Sequence, residues 1–90
     1  MHLIYHPEAE AEVIDAARSY KRQVLTLGAQ FLDAVDVAAS IILEAPARWR
    51  IVEADIRRSL MPRFPFGLYD RILPDHVRIL TVKHHSRHPD

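Results

Sequence analysis

Ninety residues with six prolines, two glycines and no cysteine allow one core, expected to be a single domain over 1–90, and exclude disulfide staples and thiolate chemistry. No run of about 18 apolar residues and no basic start leading into a long apolar stretch is present, so neither a membrane span nor a secretory leader is expected, and a cytoplasmic location fits. The formal charge of zero conceals a dipole: residues 1–47 carry three basic and seven acidic side chains, and residues 48–90 carry nine and five.

In chain order, His2 to His6 (HLIYH) is short, β-branched and aromatic at its centre, and reads as a strand ended by Pro7. Pro7 suits the first turn of a helix, where its missing N–H is not needed, and Glu8, Glu10 and Glu12 follow where the macrodipole favours negative charge. Ala9, Val13, Ala16, Ala17 and Tyr20 form an apolar stripe of helical period through about Arg22. Between Val24 and Gly28 the period falters at a glycine, which predicts a tight helix–helix turn there. From Ala29 the period resumes through Phe31, Leu32, Val35, Ala38, Ala39, Ile42 and Leu43 and stops at Ala45–Pro46. Residues 46–55 are expected to cross from helix to sheet, with Trp49 capping one end of the core.

Three strands are predicted after the crossing. Ile56 to Met61 runs into Pro62–Pro65, where two prolines remove ladder donors and force a turn; Phe66 to Leu73 meets Pro74–Asp75; and His76 to His84 returns. Strict alternation places Val77, Ile79, Thr81 and Lys83 on one side of the last strand, with Arg78, Leu80, Val82 and His84 on the other. Neither side is purely apolar, so the alternation leaves open which one meets the helices. The expected fold class is α+β: an N-terminal strand, an antiparallel helical hairpin, then a three-stranded antiparallel meander with the hairpin over one sheet face.

The segment from Ile56 to Asp90 holds seven basic residues, Arg57, Arg58, Arg63, Arg71, Arg78, Lys83 and Arg87. A strand sends successive side chains to opposite faces, so one face can pack while the other presents cations to an anionic partner. The plainer alternative is a solvated surface with segregated charge. Arg57 and Arg58 occupy opposite faces, so one is expected on the working face and the other paired with helical carboxylates. Tyr69 reads first as a packed aromatic with a bonded hydroxyl. His84, His85 and His88 do not make a metal site, because neighbours on a strand diverge and no carboxylate or cysteine stands beside them; no metal and no cofactor is expected. Short strands with prolines at their turns leave an unpaired edge that a partner segment can cover.

This order of elements, with LGAQFLDAV, EAPARW, IRRSLMPRFPFGLYDRI and ILTVKHHSRHPD, resembles the RelE/ParE family of bacterial type II toxin–antitoxin (plasmid stabilisation) toxins over the whole chain. Its specific parts are the Arg-Arg pair, the Arg-Phe-Pro-Phe turn followed by Tyr69, and the terminal His-x-x-Arg-x-Pro. Similar chains usually continue with Tyr-Trp after that proline, whereas this sequence stops at Asp90. The resemblance implies a toxin causing growth arrest, silenced by a cognate antitoxin whose disordered segment folds across it, with higher-order toxin–antitoxin assembly possible. ParE-like members bind DNA gyrase and stop replication; RelE-like members cut mRNA in the ribosomal A site.

Metal-free RNA cleavage needs a group to take the 2′-hydroxyl proton, a cation for the phosphate charge and a donor for the leaving oxygen. His84 and His85 are candidates for base or acid, and Arg58, Lys83 and Arg87 for the phosphate, with Arg57, Arg63, Arg71 and Arg78 as further binding residues. Arg87 falls on the terminal arginine of the nuclease pattern and Arg58 near one of its sheet lysines. The second sheet lysine falls near Leu60, and the arginine at the start of the central strand near Gly67, so two of four expected cations are absent. A neutral chain also lacks the basic excess that phosphate binding rewards. The residues therefore favour gyrase-directed action over a metal-independent endoribonuclease, with a degenerate, non-toxic member as the remaining alternative.

Overall fold

A computed structural model describes residues 1–85. The elements in order are β1 (His2–Tyr5), α1 (Pro7–Gln23), α2 (Leu27–Glu44), a single 3₁₀ turn (Pro46–Arg48), β2 (Arg50–Glu53), β3 (Ile56–Leu60), β4 (Phe66–Ile72) and β5 (His76–His84). The strands form one five-stranded sheet in the order β1-β5-β4-β3-β2, with β1 parallel to β5 and every other pair antiparallel. The α+β class, the leading strand and the helical hairpin agree with the sequence reading. The meander has four strands rather than three, because Arg50–Glu53 pairs with β3 as an edge strand exposed at all four residues. A four-residue edge strand whose pairing shifts between Ile51 and Glu53 carries no period-two signal to read.

The start of α1 has a local cause. His6 is the N-cap of α1, its Nδ1 accepting from the Glu8 N–H at 3.0 Å, and Pro7 occupies the first turn. The turn between the helices is Val24–Thr26, and Gly28 lies inside α2, not in the turn. The glycine serves a close helix crossing: a Cβ there would lie 2.7 Å from the Ala17 carbonyl oxygen and 3.0 Å from the Lys21 Cβ. An overpacking cost of about 1–3 kcal/mol then competes with the roughly 1 kcal/mol that alanine gains over glycine in a helix. Gly28→Ala is expected to destabilise the fold by about 1 kcal/mol net, read as a lower urea midpoint; an unchanged or raised midpoint would show that the crossing relaxes.

The core lies between the hairpin and one face of the sheet, and includes Ala9, Val13, Phe31, Val35, Ile42, Leu68, Val77, Ile79 and Val82. Trp49 is half-buried against this core, as its capping role predicts. An aromatic cluster ties the hairpin to the start of β4. Phe31 meets Phe66 at 5.0 Å and Phe64 at 5.2 Å between ring centroids, and Tyr20 meets Phe31 at 5.3 Å. Such tilted and edge-on pairs add about 0.5–1.5 kcal/mol each beyond their area burial.

A bulge resolves the ambiguous face of β5. Tyr69 pairs with Thr81 but Asp70 pairs with Ile79, so Leu80 is an extra residue and the alternation reverses across it. Val77, Ile79 and Val82 therefore all reach the core, whereas strict alternation separates Val82 from the other two. Among the described residues the opposite sheet face carries no helix. Among the described residues no helix is long and apolar enough to cross a membrane.

Candidate functional site

The uncovered sheet face gathers the candidate residues around Gly67. Across the central strand, Arg58 stands opposite Tyr69, Gly67 opposite Leu60, and Lys83 opposite Gly67 on the other side. With no side chain of its own, Gly67 is buried beneath its neighbours. A Cβ there would meet the Arg58 Cγ and Cδ at 3.5 and 3.6 Å and the Tyr69 Cε1 at 3.4 Å. The Arg58 stem and the Tyr69 ring thus lie over the glycine, and Lys83 flanks it, exposed. Leu60 is 52% exposed beside them, an apolar side chain where the nuclease pattern has a cation.

The histidines sit at the end of β5. His84 pairs with Phe66 and packs edge-on against its ring at 5.2 Å, while the His85 ring lies 6.3 Å from that of His84. The His85 N–H donates to the Pro65 carbonyl at 2.9 Å, which ties the strand end to the β3–β4 turn. In that turn Arg63 has φ 76 and its guanidinium lies 5.9 Å from the Phe64 ring centroid. Left-handed backbone in a non-glycine residue costs about 1–3 kcal/mol and concentrates at functional positions.

An open groove of about 670 Å³ wraps the β5 edge and brings both sets together: Glu12, Asp15, Ser19, Tyr20 and Gln23 from α1 face Tyr69, Lys83, His84 and His85. One wall is acidic or polar and the other basic. At its floor one Glu12 oxygen accepts from the Thr81 hydroxyl at 2.7 Å and from the Val82 N–H at 2.9 Å. The sequence marks Glu12 only as an acidic residue in the first turns of α1; its partner lies 70 positions away, and no local signal points to it.

The other arginines are placed differently. Arg57 turns to the connector after α2, donating to the Trp49 carbonyl at 2.8 Å and the Ala47 carbonyl at 3.3 Å. This corrects the expectation that it pairs with helical carboxylates; the nearest acceptors are backbone oxygens left at the helix end. Arg71 and Arg78 stand directly opposite each other, a like-charge pair that costs stability, and Asp55 relieves it by holding Arg71 at 3.0 Å. Arg87, His88 and the rest of the His-x-x-Arg-x-Pro motif after His85 lie outside the described residues. Among the described residues no group of three potential metal ligands assembles.

Beneath the open sheet face Asp70 is fully buried on β4, opposite Arg57. Neither carboxylate oxygen meets a donor in good hydrogen-bonding geometry. Burial raises its pKa to about 6, with the Arg57 charge and the residue's own N–H offsetting part of that rise.

No protein-family model matches the sequence, and no curated protein does. Among solved structures, a chain of the chromosomal ParDE TA system from P. aeruginosa superposes with a TM-score of 0.66 at 26% identity, covering 93% of this chain and 95% of that one. A match of that extent shares the leading strand, the helical hairpin and the antiparallel sheet, the same elements that carry the Arg-Arg pair and the Arg-Phe-Pro-Phe turn. This likeness in fold agrees with the RelE/ParE resemblance that the sequence motifs carry.

Proposed function

We propose that the chain is the toxin of a type II toxin–antitoxin pair, silenced by a cognate antitoxin, and that it acts in the ParE manner by binding DNA gyrase rather than by cutting RNA. The likeness to a ParDE chain over 93% of the sequence supports the toxin reading. The observation that carries the choice of mechanism is the surface around Gly67. Arg58 and Lys83 flank a glycine, Leu60 is exposed beside it, and the cations that would hold a phosphorane are reduced to that pair plus Arg87. Arg58 and Lys83 suit an acidic protein surface, where two well-placed charges and an apolar neighbour give steering and a packed centre. The net charge of zero also supplies little of the general attraction that docking on ribosomal RNA draws on.

One observation favours the RNA-cleaving alternative: Lys83, His84, His85 and Tyr69 line one groove, which collects a cation, two imidazoles and a phenol. The two readings separate in one experiment. The chain is expressed from a tightly repressed promoter, and growth, gyrase–DNA cleavage complexes and transcript integrity are followed in parallel. The expected result is growth arrest with trapped cleavage complexes and intact transcripts. Cut transcripts with continuing replication would overturn the gyrase reading in favour of the nuclease, and an absence of arrest would mean a degenerate toxin.

A further inference from the structure

We propose that the protein self-associates through β2: two copies pair Arg50–Glu53 antiparallel about a two-fold axis, so that Arg50 meets Glu53 of the second copy and Ile51 meets its Val52. The contact lies at the far end of the strand order from β1 and does not depend on the toxin–antitoxin reading.

The charges of the strand call for such a partner. β2 borders β3 alone, and all four of its residues are exposed. It reads Arg-Ile-Val-Glu, a cation and a carboxylate flanking two apolar side chains, and that order complements itself when reversed. Neither Arg50 nor Glu53 has an ion-pair partner among the described residues. Arg50 moreover stands directly opposite Arg58, and like charges so placed cost stability. The similar opposition of Arg71 and Arg78 is relieved within the chain by Asp55. For Arg50 and Arg58 the relief would come from the next strand, as Glu53 of a second copy.

The bulge in β2 makes this register possible. Directly opposed residues share a face of the sheet. Arg58 and Ile56 are two apart on β3 and share a face, so their partners Arg50 and Glu53 share it too, although they are three apart. In a regular strand, positions 50 and 53 point to opposite faces. A two-fold axis perpendicular to the sheet keeps each residue on its own face, so it could not set those two positions of a regular strand against each other. Val52 is the extra residue; it leaves Ile51 and Val52 together on the other face, where they oppose each other across the same axis. A bulge ordinarily discourages pairing at an edge. This one disfavours a strand of strict alternation and fits a copy of itself. The resulting sheet has twice the five strands of one chain, and both Gly67 surfaces lie on the same side of it.

Sedimentation equilibrium of the whole chain is the test, with circular dichroism to confirm that each variant is folded. Four residues from each copy make a smaller contact than a standard interface, so wild type is expected to dimerise with a dissociation constant of roughly 0.1 mM. Arg50→Glu sets carboxylate against carboxylate at both ends of the contact, and Glu53→Arg sets guanidinium against guanidinium. Each alone is expected to weaken dimerisation by about tenfold or more. The double variant Arg50→Glu with Glu53→Arg is expected to dimerise at least as tightly as wild type, and an equimolar mixture of the two single variants to form a mixed dimer more tightly than either associates with itself. A wild type still monomeric at about 1 mM, a single reversal that dimerises undiminished, or a mixture that gains nothing over its components overturns the proposal. If a single reversal fails to fold, Val52→Lys decides the matter: it brings two ammonium groups into the centre of the contact, and a Val52→Lys chain that dimerises like wild type overturns the proposal as well.

Discussion

Asp70→Asn is expected to make the protein more stable at pH 7 and to remove a component of its pH dependence. Asp70 is fully buried, its oxygens lack good donors, and its folded-state pKa is raised from 3.8 to about 6. Between those values the native chain holds a proton that the unfolded chain releases, so stability falls as pH rises through that window. Asp70 therefore gives its full relative contribution below about pH 4 and loses it by neutral pH, with an upper limit of about 3 kcal/mol on the loss across that window. Asparagine has nearly the same shape and no charge, although its amide also lacks partners, so a gain of about 1–3 kcal/mol at pH 7 is expected. Urea unfolding at pH 4.5 and 7.5 checks this. The difference between wild type and variant isolates Asp70, because the other carboxylates, Asp75 with its pKa lowered by the His76 hydrogen bond among them, are common to both. Identical slopes would mean that water or a shift of Arg57 already satisfies the carboxylate.

The same residue shows what a sequence of this kind conceals. Asp70 and Arg71 are adjacent acidic and basic residues on a strand, and nothing local distinguishes the buried carboxylate from the guanidinium held by Asp55 at 3.0 Å. The helices are legible because long apolar stripes of period 3.6 repeat over several turns, and strands β3 to β5 because prolines and Pro74–Asp75 mark their ends. β2 is not, since four exposed residues produce no pattern. Gly28 suggests a turn on its chemistry alone, while the reason for it is a helix crossing visible only once α1 and α2 are in place. Alternation along β5 misassigns Val82 because the extra residue at Leu80 leaves no mark in the sequence. The clustering of Arg58, Tyr69 and Lys83 follows from the strand register, whereas the Glu12 contact depends on the angle at which α1 crosses β5, which residue types do not encode locally.

The double substitution Arg58→Ala with Lys83→Ala is expected to abolish growth arrest while leaving the fold intact. Both residues lie on the sheet face away from the helices, on either side of Gly67. Neither takes part in an ion pair among the described residues, so their removal opens no cavity in the core and leaves no buried partner unsatisfied. The Arg58 stem covers Gly67, so a stability loss of less than about 1 kcal/mol is expected from its packing. Against a target, each charged contact contributes about 1.5–3 kcal/mol, so losing two weakens binding by roughly a hundredfold or more. Arg71→Ala is the control: its guanidinium is already held by Asp55, and arrest should persist. The measurements are arrest on induction for all three chains, with thermal melts to confirm folding. A folded, fully toxic double variant would remove the Gly67 surface from the mechanism. If Arg71→Ala abolished arrest equally, the working face would extend along β4 toward Asp55, and the charge of the whole sheet, not the pair beside the glycine, would set target binding.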